Sequence, residues 1–273
     1  MTERWPGDDG TFGVAPEAAV RDSHGRPCPI AIRVCTATPP LPVPPSSYAF
    51  PSPLARRDSS DRYVFGGDFS PSTILEAYRK GYFPWPRSEE QELVWCSPHP
   101  RAVLPLSCFT IPRRLGRTVR SGRFGVTVDA AFERVIRACA ERVGGTWITG
   151  RLTAGYTELH RRGWAHSFEV WQGGELVGGL YGLGVGAMFG AESMFSRVRD
   201  ASKVAVVAMV QHCRTIGVEL VDIQVLNEHT ERMGGIEVAR ERYLGRLAGA
   251  IEGQARWYPG AVEDGGTAEA GTG

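Results

Sequence analysis

HSFEVWQ (166–172), ELVGGLYGL (175–183), AMFGAESMF (187–195) and VELVDIQV (218–225) are the stretches on which the fold turns. The first two flank Gly173-Gly174, a two-residue turn that favours positive φ, and together they read as a β-hairpin. AMFGAESMF supplies a third strand that ends in a polar cluster. A helix over about 199–216 follows and stops at Gly217. VELVDIQV is a mostly apolar run, as expected of a buried strand. Two more helices are expected, at about 228–234 and 240–252. Three antiparallel strands, a helix, a strand and a helix make an α/β (α+β) class whose element order is acetyltransferase-like (GNAT-like).

N-terminal to this block the period is 3.6. Arg151–Arg161 is expected to be a helix ended at Gly163, with TWIT (146–149) leading into it. A second helix over about 130–141 has Asp129 as its expected cap, with Phe132, Val135, Ile136 and Cys139 inward. Arg113–Arg120 reads as a short helix with Arg113, Arg117 and Arg120 on one face and Arg114 beside them. In GGDFSPSTILEAYRKGYFPWP (66–86), Ser70 is the expected N-cap, Pro71 the first helical residue and Gly81 the residue just past the end. Residues 1–46 read as a poorly ordered extension holding the polyproline-like run PPLPVPPSS (39–47). Residues 257–273 read as a disordered tail. The expected organisation is therefore an extension (1–46), a small N-terminal domain (47–98), a catalytic domain (99–256) and a tail.

Composition bounds the function loosely. The chain has 273 residues, 42% apolar, with a net charge of +1, so whole-chain charge identifies no partner. Its distribution says more: from Arg101 to Phe124 there are six arginines and no carboxylate. That suits an acidic or nucleic-acid partner, against the alternative of a solvated face. The six cysteines are scattered with no C-x-x-C, so neither a disulfide framework nor a zinc site is expected. His99, His160 and His229 lack metal-ligand spacing, and no metal or cofactor is expected. Residues 1–20 lack a signal-peptide pattern and no apolar run reaches membrane-span length, which fits a reduced, cytoplasmic protein with no membrane partner.

Three groups of residues carry possible chemistry. Glu192 lies between apolar residues at a strand end. It is either a partnered structural carboxylate or one held to meet a cation or amine. Asp222 and Gln224, at i and i+2, point to one face of their strand, with Val221, Ile223 and Val225 on the other. Such a pair is either a polar outer face or a site. Tyr78, Trp85, Trp95, Trp147 and Tyr156 sit in or beside turn-rich segments and serve either as core or as base-stacking platforms. Adjacent His166 and Ser167 point to opposite faces, and no serine lies in G-x-S-x-G, so no hydrolase triad is expected.

FPSPLA (50–55), GGDFSPSTILEAYRKGYFPW (66–85), SPHPRAVL (97–104), TWIT (146–149), AHSFEVW (165–171), ELVGGLYG (175–182), ESMFS (192–196), ASK (201–203) and VDIQVLNEHT (221–230) occur together and in order. The ordered set resembles the leucyl/phenylalanyl-tRNA–protein transferase family across nearly all of residues 50–245. The resemblance implies a small N-terminal domain on an acetyltransferase-like mixed-sheet domain. It also implies transfer of Leu or Phe, sometimes Met, from aminoacyl-tRNA to the α-amino group of an N-terminal Arg or Lys, a step in bacterial N-end-rule degradation. The implied partners are Leu-tRNA, Phe-tRNA and such proteins, and the implied oligomeric state is a monomer.

Residue by residue, Asp222 and Gln224 match the family's D-x-Q pair and Glu192 its active-site glutamate. Met188, Phe189, Met194 and Val221 match positions in or near the pocket for the transferred side chain. Trp85, Trp147 and Tyr156 match aromatics around the aminoacyl-adenosine end. Arg113, Arg117 and Arg120, with Arg114, match basic positions that approach the tRNA acceptor stem. The chain departs from the pattern at Ala191, where the family has Gly, and at Cys96, where it has the second of two tryptophans. Two rival readings are an acetyl-CoA N-acetyltransferase and a non-catalytic RNA- or peptide-binding module.

Overall fold

The computed structural model describes residues 19–35, 39–55, 60–85, 92–141 and 146–257. In chain order its elements are β1 (Arg21–Asp22), β2 (Ile32–Val34), β3 (Arg62–Phe65), α1 (Pro71–Arg79), β4 (Phe83–Pro84), β5 (Val94–Ser97), β6 (Arg101–Val103), β7 (Thr110–Ile111), α2 (Arg113–Arg120) and β8 (Gly125–Val128). They continue with α3 (Phe132–Ala140), α4 (Gly150–Arg161), β9 (Ala165–Gln172), β10 (Glu175–Val185), β11 (Met188–Ser196), α5 (Ala201–Ile216), β12 (Leu220–Gln224), α6 (Glu228–Arg232), β13 (Ile236–Val238) and α7 (Arg240–Glu252). No helix among the described residues is long and apolar enough to cross a membrane.

The centre is a mixed sheet in the order β13-β6-β12-β11-β10-β9-β8-β2. Strands β9, β10 and β11 form the expected antiparallel meander, and β12 returns parallel to β11. Gly173 and Gly174 turn the β9–β10 hairpin with φ of 59° and 82°, values that match the twist of the flanking strands. A second, antiparallel sheet, β3-β5-β4, lies with α1 in the N-terminal part. The side chain of Ser70 caps α1 by accepting from the Thr73 N–H, and Gly81 follows its end at φ 80°. Helices thus cover both faces of the main sheet, which is the expected α/β class.

Each face has its own core. One cluster joins α1, α3, α4 and α7 through residues such as Tyr78, Phe132, Leu152, Tyr181 and Leu247. The other is dominated by α5, whose Val204–Val210 run is buried along its whole length. Apolar residues all round this helix are what its position between sheet and neighbouring segments requires.

Two expectations need correction. Residues 1–46 are not an unstructured extension throughout: β2 adds to the edge of the main sheet in parallel with β8, and β1 pairs with β7. The short apolar alternations Val20, Ile30 and Ile32 were masked by the prolines around them. The polyproline-like run has no regular structure but is docked, with Trp164 Nε1 donating to Leu41 O at 2.8 Å. Residues 1–18 lie outside the described residues, as do 258–273, although Trp257 is buried and stacks on His166.

Asp129 does not cap α3. It sits at φ 61°, accepts from the Ser167 N–H and contacts His166 Nδ1, both at 2.8 Å. The N–H groups of Ala130 and Ala131 are instead taken by the buried carboxylate of Glu169, each at 3.3 Å. Burial pushes that carboxyl up to about 7, although hydrogen bonds from Ser167 and Thr127 resist the rise.

Candidate active site

The site is a gap in the main sheet. Strands β11 and β12 pair only from Met188↔Leu220 to Gly190↔Asp222. Beyond that β11 runs on to Ser196 paired only with β10, and β12 runs on to Gln224 paired only with β6. Gln224 adopts φ 65°, left-handed for a residue with a side chain, at an irregularity in the pairing of β12 with β6. Such a conformation stores about 1–3 kcal/mol and persists only where the surroundings impose it.

A cavity of about 280 Å³ fills the gap. Its apolar floor is Leu104, Leu180, Met194, Val206, Met209 and Met233, with Ala191 and Ile223 on the two diverging strands. Trp85 and Trp147 stand on the rim, and Trp85 is 44% exposed. Glu192 and Gln224 form the polar end, with Asn227, His229 and Thr230 of the α6 turn beside them.

Glu192 is buried. Its Oε1 accepts from the Tyr78 hydroxyl and, at 2.9 Å, from Gln224 Nε2. Tyr78 and Tyr156 are fully buried behind it, their hydroxyls 2.8 Å apart. Glu192 Oε2 has no hydrogen-bond partner among the described residues. Burial pushes this carboxyl up to about 7, and the charge of Asp222 adds to the rise. The bonds from Tyr78 and Gln224 oppose it. Burial first, then the Glu192 charge, holds both phenols well above their ordinary range, so they remain neutral donors.

Asp222 is completely buried and fully occupied. Arg101 Nε donates to Oδ1 at 2.9 Å and Nη2 to Oδ2 at 2.5 Å, a bidentate pair. Tyr243 donates to Oδ2 and the Gln224 N–H to Oδ1, both at 2.9 Å. Arg101 itself is buried, packed over the rings of Phe83 and Tyr243 at 4.8 and 4.5 Å. Room for the Glu192 cluster depends on Gly190: a Cβ there would lie 2.8 Å from the Tyr78 ring.

The expected residues divide clearly. Glu192, Gln224, Met194, Trp85 and Trp147 line the cavity, while Asp222, Tyr78 and Tyr156 stand behind its polar end. Met188, Phe189 and Val221 do not line it. They lie in the paired part of β11 and β12, before the gap opens, and are core: Phe189 packs on Phe168 and Trp257.

The arginine run is also less uniform than its sequence. Arg101 belongs to the Asp222 pair, Arg120 bonds Asp22 at 3.3 Å, and Arg114 lies 3.9 Å from Asp200. Arg113 and Arg117 remain exposed, with no ion pair among the described residues.

Sequence reasoning missed Arg101 and Tyr243 as supports of Asp222, and Leu104, Leu180, Val206, Met209 and Met233 as floor. Only Arg101 left a signal: a cation immediately before the apolar run AVL. The floor residues are indistinguishable from core by pattern. His229, which lacks metal-ligand spacing, has its Nε2 buried with no partner among the described residues. Burial, then Lys203 and Arg232, lowers its pKa.

Comparison with known proteins bears on this geometry. The family model described as leucyl/phenylalanyl-tRNA protein transferase matches residues 103–248, and that of the same family's N-terminal domain matches 67–99. A protein of Anaeromyxobacter sp. (strain K) named leucyl/phenylalanyl-tRNA–protein transferase is 48% identical over 225 residues, covering 80% of this chain and 96% of its own. Its namesake from Proteus mirabilis (strain HI4320) is 47% identical over 218 residues, 78% and 94% of the two chains. That from Pseudomonas fluorescens (strain Pf0-1) is 47% identical over 208 residues, 74% and 91%. Among solved structures, the C-terminal domain of a putative lysylphosphatidylglycerol synthetase from Agrobacterium fabrum aligns with 67% of this chain and 57% of its own. Its identity is 13% and its TM-score 0.33, a likeness too slight to carry an argument.

Proposed function

The chain belongs to the leucyl/phenylalanyl-tRNA–protein transferase family, aminoacyltransferases that act from tRNA to protein, and within it we propose that Leu or Phe, with Met as a further donor, moves to the α-amino group of proteins beginning with Arg or Lys. The product carries a bacterial N-end-rule degradation signal. The enzyme works as a monomer in the cytoplasm, where charged tRNA is found. The observation that carries this reading is the gap between β11 and β12, with an apolar floor and a carboxylate–amide pair at its polar end.

An aminoacyl ester is already activated, so positioning supplies most of the rate. The floor takes the transferred side chain. Trp85 and Trp147 on the rim flank the terminal adenosine, and Arg113 and Arg117 meet tRNA phosphates. Asp222, fixed by Arg101 and Tyr243, holds the Gln224 backbone. Because Gln224 gives its NH₂ to Glu192, its carbonyl is left to accept from the incoming α-amine. Glu192 helps bind the amine or the basic side chain of the acceptor. The acetyl-CoA alternative would need a pyrophosphate at the N-terminus of α5, where Asp200 stands.

The test is transfer of labelled Leu from charged tRNA to an Arg-starting peptide. Strong loss is expected in Asp222→Ala and Gln224→Ala, and full activity in both would end the assignment. A purely apolar floor discriminates by about 1–3 kcal/mol per methylene, so Leu, Phe and Met are accepted and β-branched Val poorly. Val transfer at a comparable rate would count against this floor as the side-chain pocket.

A further inference from the structure

The two buried carboxylates of the site differ in what their oxygens have left to do. Every favourable acceptor position of Asp222 is in use: two donors from Arg101, one from Tyr243 and one from the Gln224 backbone. Asp222 does not line the cavity, and a guanidinium is bonded directly to it. Gln224 has an amide, which is no base at neutral pH. Glu192 does line the cavity, and its Oε2 is buried without a donor among the described residues, a state that costs free energy until a hydrogen-bond donor or a proton arrives.

Building on the transfer reading above, we propose that Glu192 is the proton acceptor of the reaction, taking a proton from the attacking α-amine at Oε2 and giving it to the ribose oxygen that leaves, while Asp222 exchanges no proton. The step balances within the substrates. The neutral α-amine attacks the ester carbonyl carbon, and its N–H proton passes to Glu192 as the C–N bond forms. The C–O bond to the ribose then breaks, its electron pair stays on the ribose oxygen, and the proton on Glu192 neutralises it. Ester and amine become amide and alcohol, and the enzyme returns to its starting state.

The groups facing Glu192 agree with this role. Tyr78 of α1 and Tyr156 of α4 stay neutral, and Tyr181 of β10 packs against Tyr156. From β12 come Gln224 and the charge of Asp222, which is offset by Arg101 of β6 and hydrogen-bonded by Tyr243 of α7. His229 of α6 faces the same cavity and is held toward its neutral form. Burial sets the Glu192 carboxyl at about 7, close to the pH at which the exchange must run both ways.

The experiment is the pH profile of single-turnover transfer. Enzyme preloaded with Leu-tRNA reacts with subsaturating Arg-starting peptide between pH 5.5 and 8.5. Two groups must be deprotonated: Glu192, and the peptide amine with its pKa of about 8. The logarithm of the wild-type rate therefore climbs with slope two below pH 7 and slope one from there to about pH 8. Glu192→Gln should slow transfer about 10²–10⁴-fold and leave slope one up to about pH 8, the amine's own titration. Tyr78→Phe, which removes a donor to the carboxylate, should move the lower break to higher pH. That variant keeps the test available if Glu192→Gln does not fold. A bell-shaped wild-type profile would make Glu192 an ion-pair anchor for an ammonium and overturn the proposal. So would slope two surviving in Glu192→Gln, or a lower break that Tyr78→Phe leaves in place. A wild type that transfers nothing at any pH would instead sink the transfer reading itself.

Discussion

Replacing Glu192 by Gln should make the protein more stable as it makes it less active. The carboxyl rises from an ordinary 4.5 to about 7 in the folded chain because burial penalises its charged form. Below pH 4.5 the group is protonated in both the folded and unfolded states and contributes nothing. As pH climbs from 4.5 to 7 the unfolded chain gives up its proton while the folded chain keeps it, so wild-type stability falls. Above 7 the loss is complete. At about 1.36 kcal/mol per pH unit it amounts to roughly 3 kcal/mol. Glutamine has nearly the shape of the neutral acid and titrates nowhere. Glu169, also raised to about 7, is present in both proteins and cancels in the difference. Urea unfolding followed by tryptophan fluorescence should show the two proteins matched near pH 4.5 and Glu192→Gln ahead by up to about 3 kcal/mol at pH 8. In melting temperature that is roughly 6–12 °C for a domain of this size. A variant no more stable than wild type at pH 8, or more stable by the same amount at both pH values, would refute the argument that desolvation dominates at Glu192.

Arg101→Met strands a buried carboxylate and should cost about 3–5 kcal/mol in urea unfolding. Most of that loss should return when Asp222→Leu is added, at the expense of activity. Gly190→Ala sets a methyl group 2.8 Å from the Tyr78 ring. Transfer activity should fall while stability, read by thermal melting, drops by only about 1–3 kcal/mol. Reversing Arg113 and Arg117 to Glu should weaken Leu-tRNA binding and flatten its dependence on salt by about two charges' worth, as read by filter binding from 50 to 200 mM salt. Arg120→Glu should instead lower the melting temperature, because Arg120 is tied to Asp22.

Much of the scaffold was legible because its signals are local. A Gly-Gly turn between two alternating runs, a Ser-Pro start and a Gly stop each depend on a few neighbouring residues. Edges of the sheet were not legible. The two-residue β1 and three-residue β2 are too short for a period, and their pairing with β7 and β8 is decided by residues about ninety positions away. The site shows the same division. Asp222, Gln224 and Glu192 stood out as polar side chains on apolar strands, a local anomaly. Where β11 and β12 stop pairing is a tertiary fact, so Met188, Phe189 and Val221 looked as eligible for the floor as Met194. The left-handed turn at Gln224 was equally invisible, since nothing in VDIQV asks for it. Arg101 looked like one more cation in a basic run and proved to be the counter-ion of Asp222.

The hydroxyl of Tyr78 reaches from α1 to Glu192, joining the part of the chain matched as an N-terminal domain to the part matched as the transferase proper. Arg101, at the seam between them, does the same through Asp222 and the carbonyl of Gly81. The two matched segments are therefore not interchangeable modules. A chimaera that took residues 67–99 from one lineage and the remainder from another would inherit two half-networks as well as two halves of one apolar core. A change at Tyr78 and a change at Gly190 therefore meet in the same place, the contact with Glu192, although they lie on opposite sides of the seam.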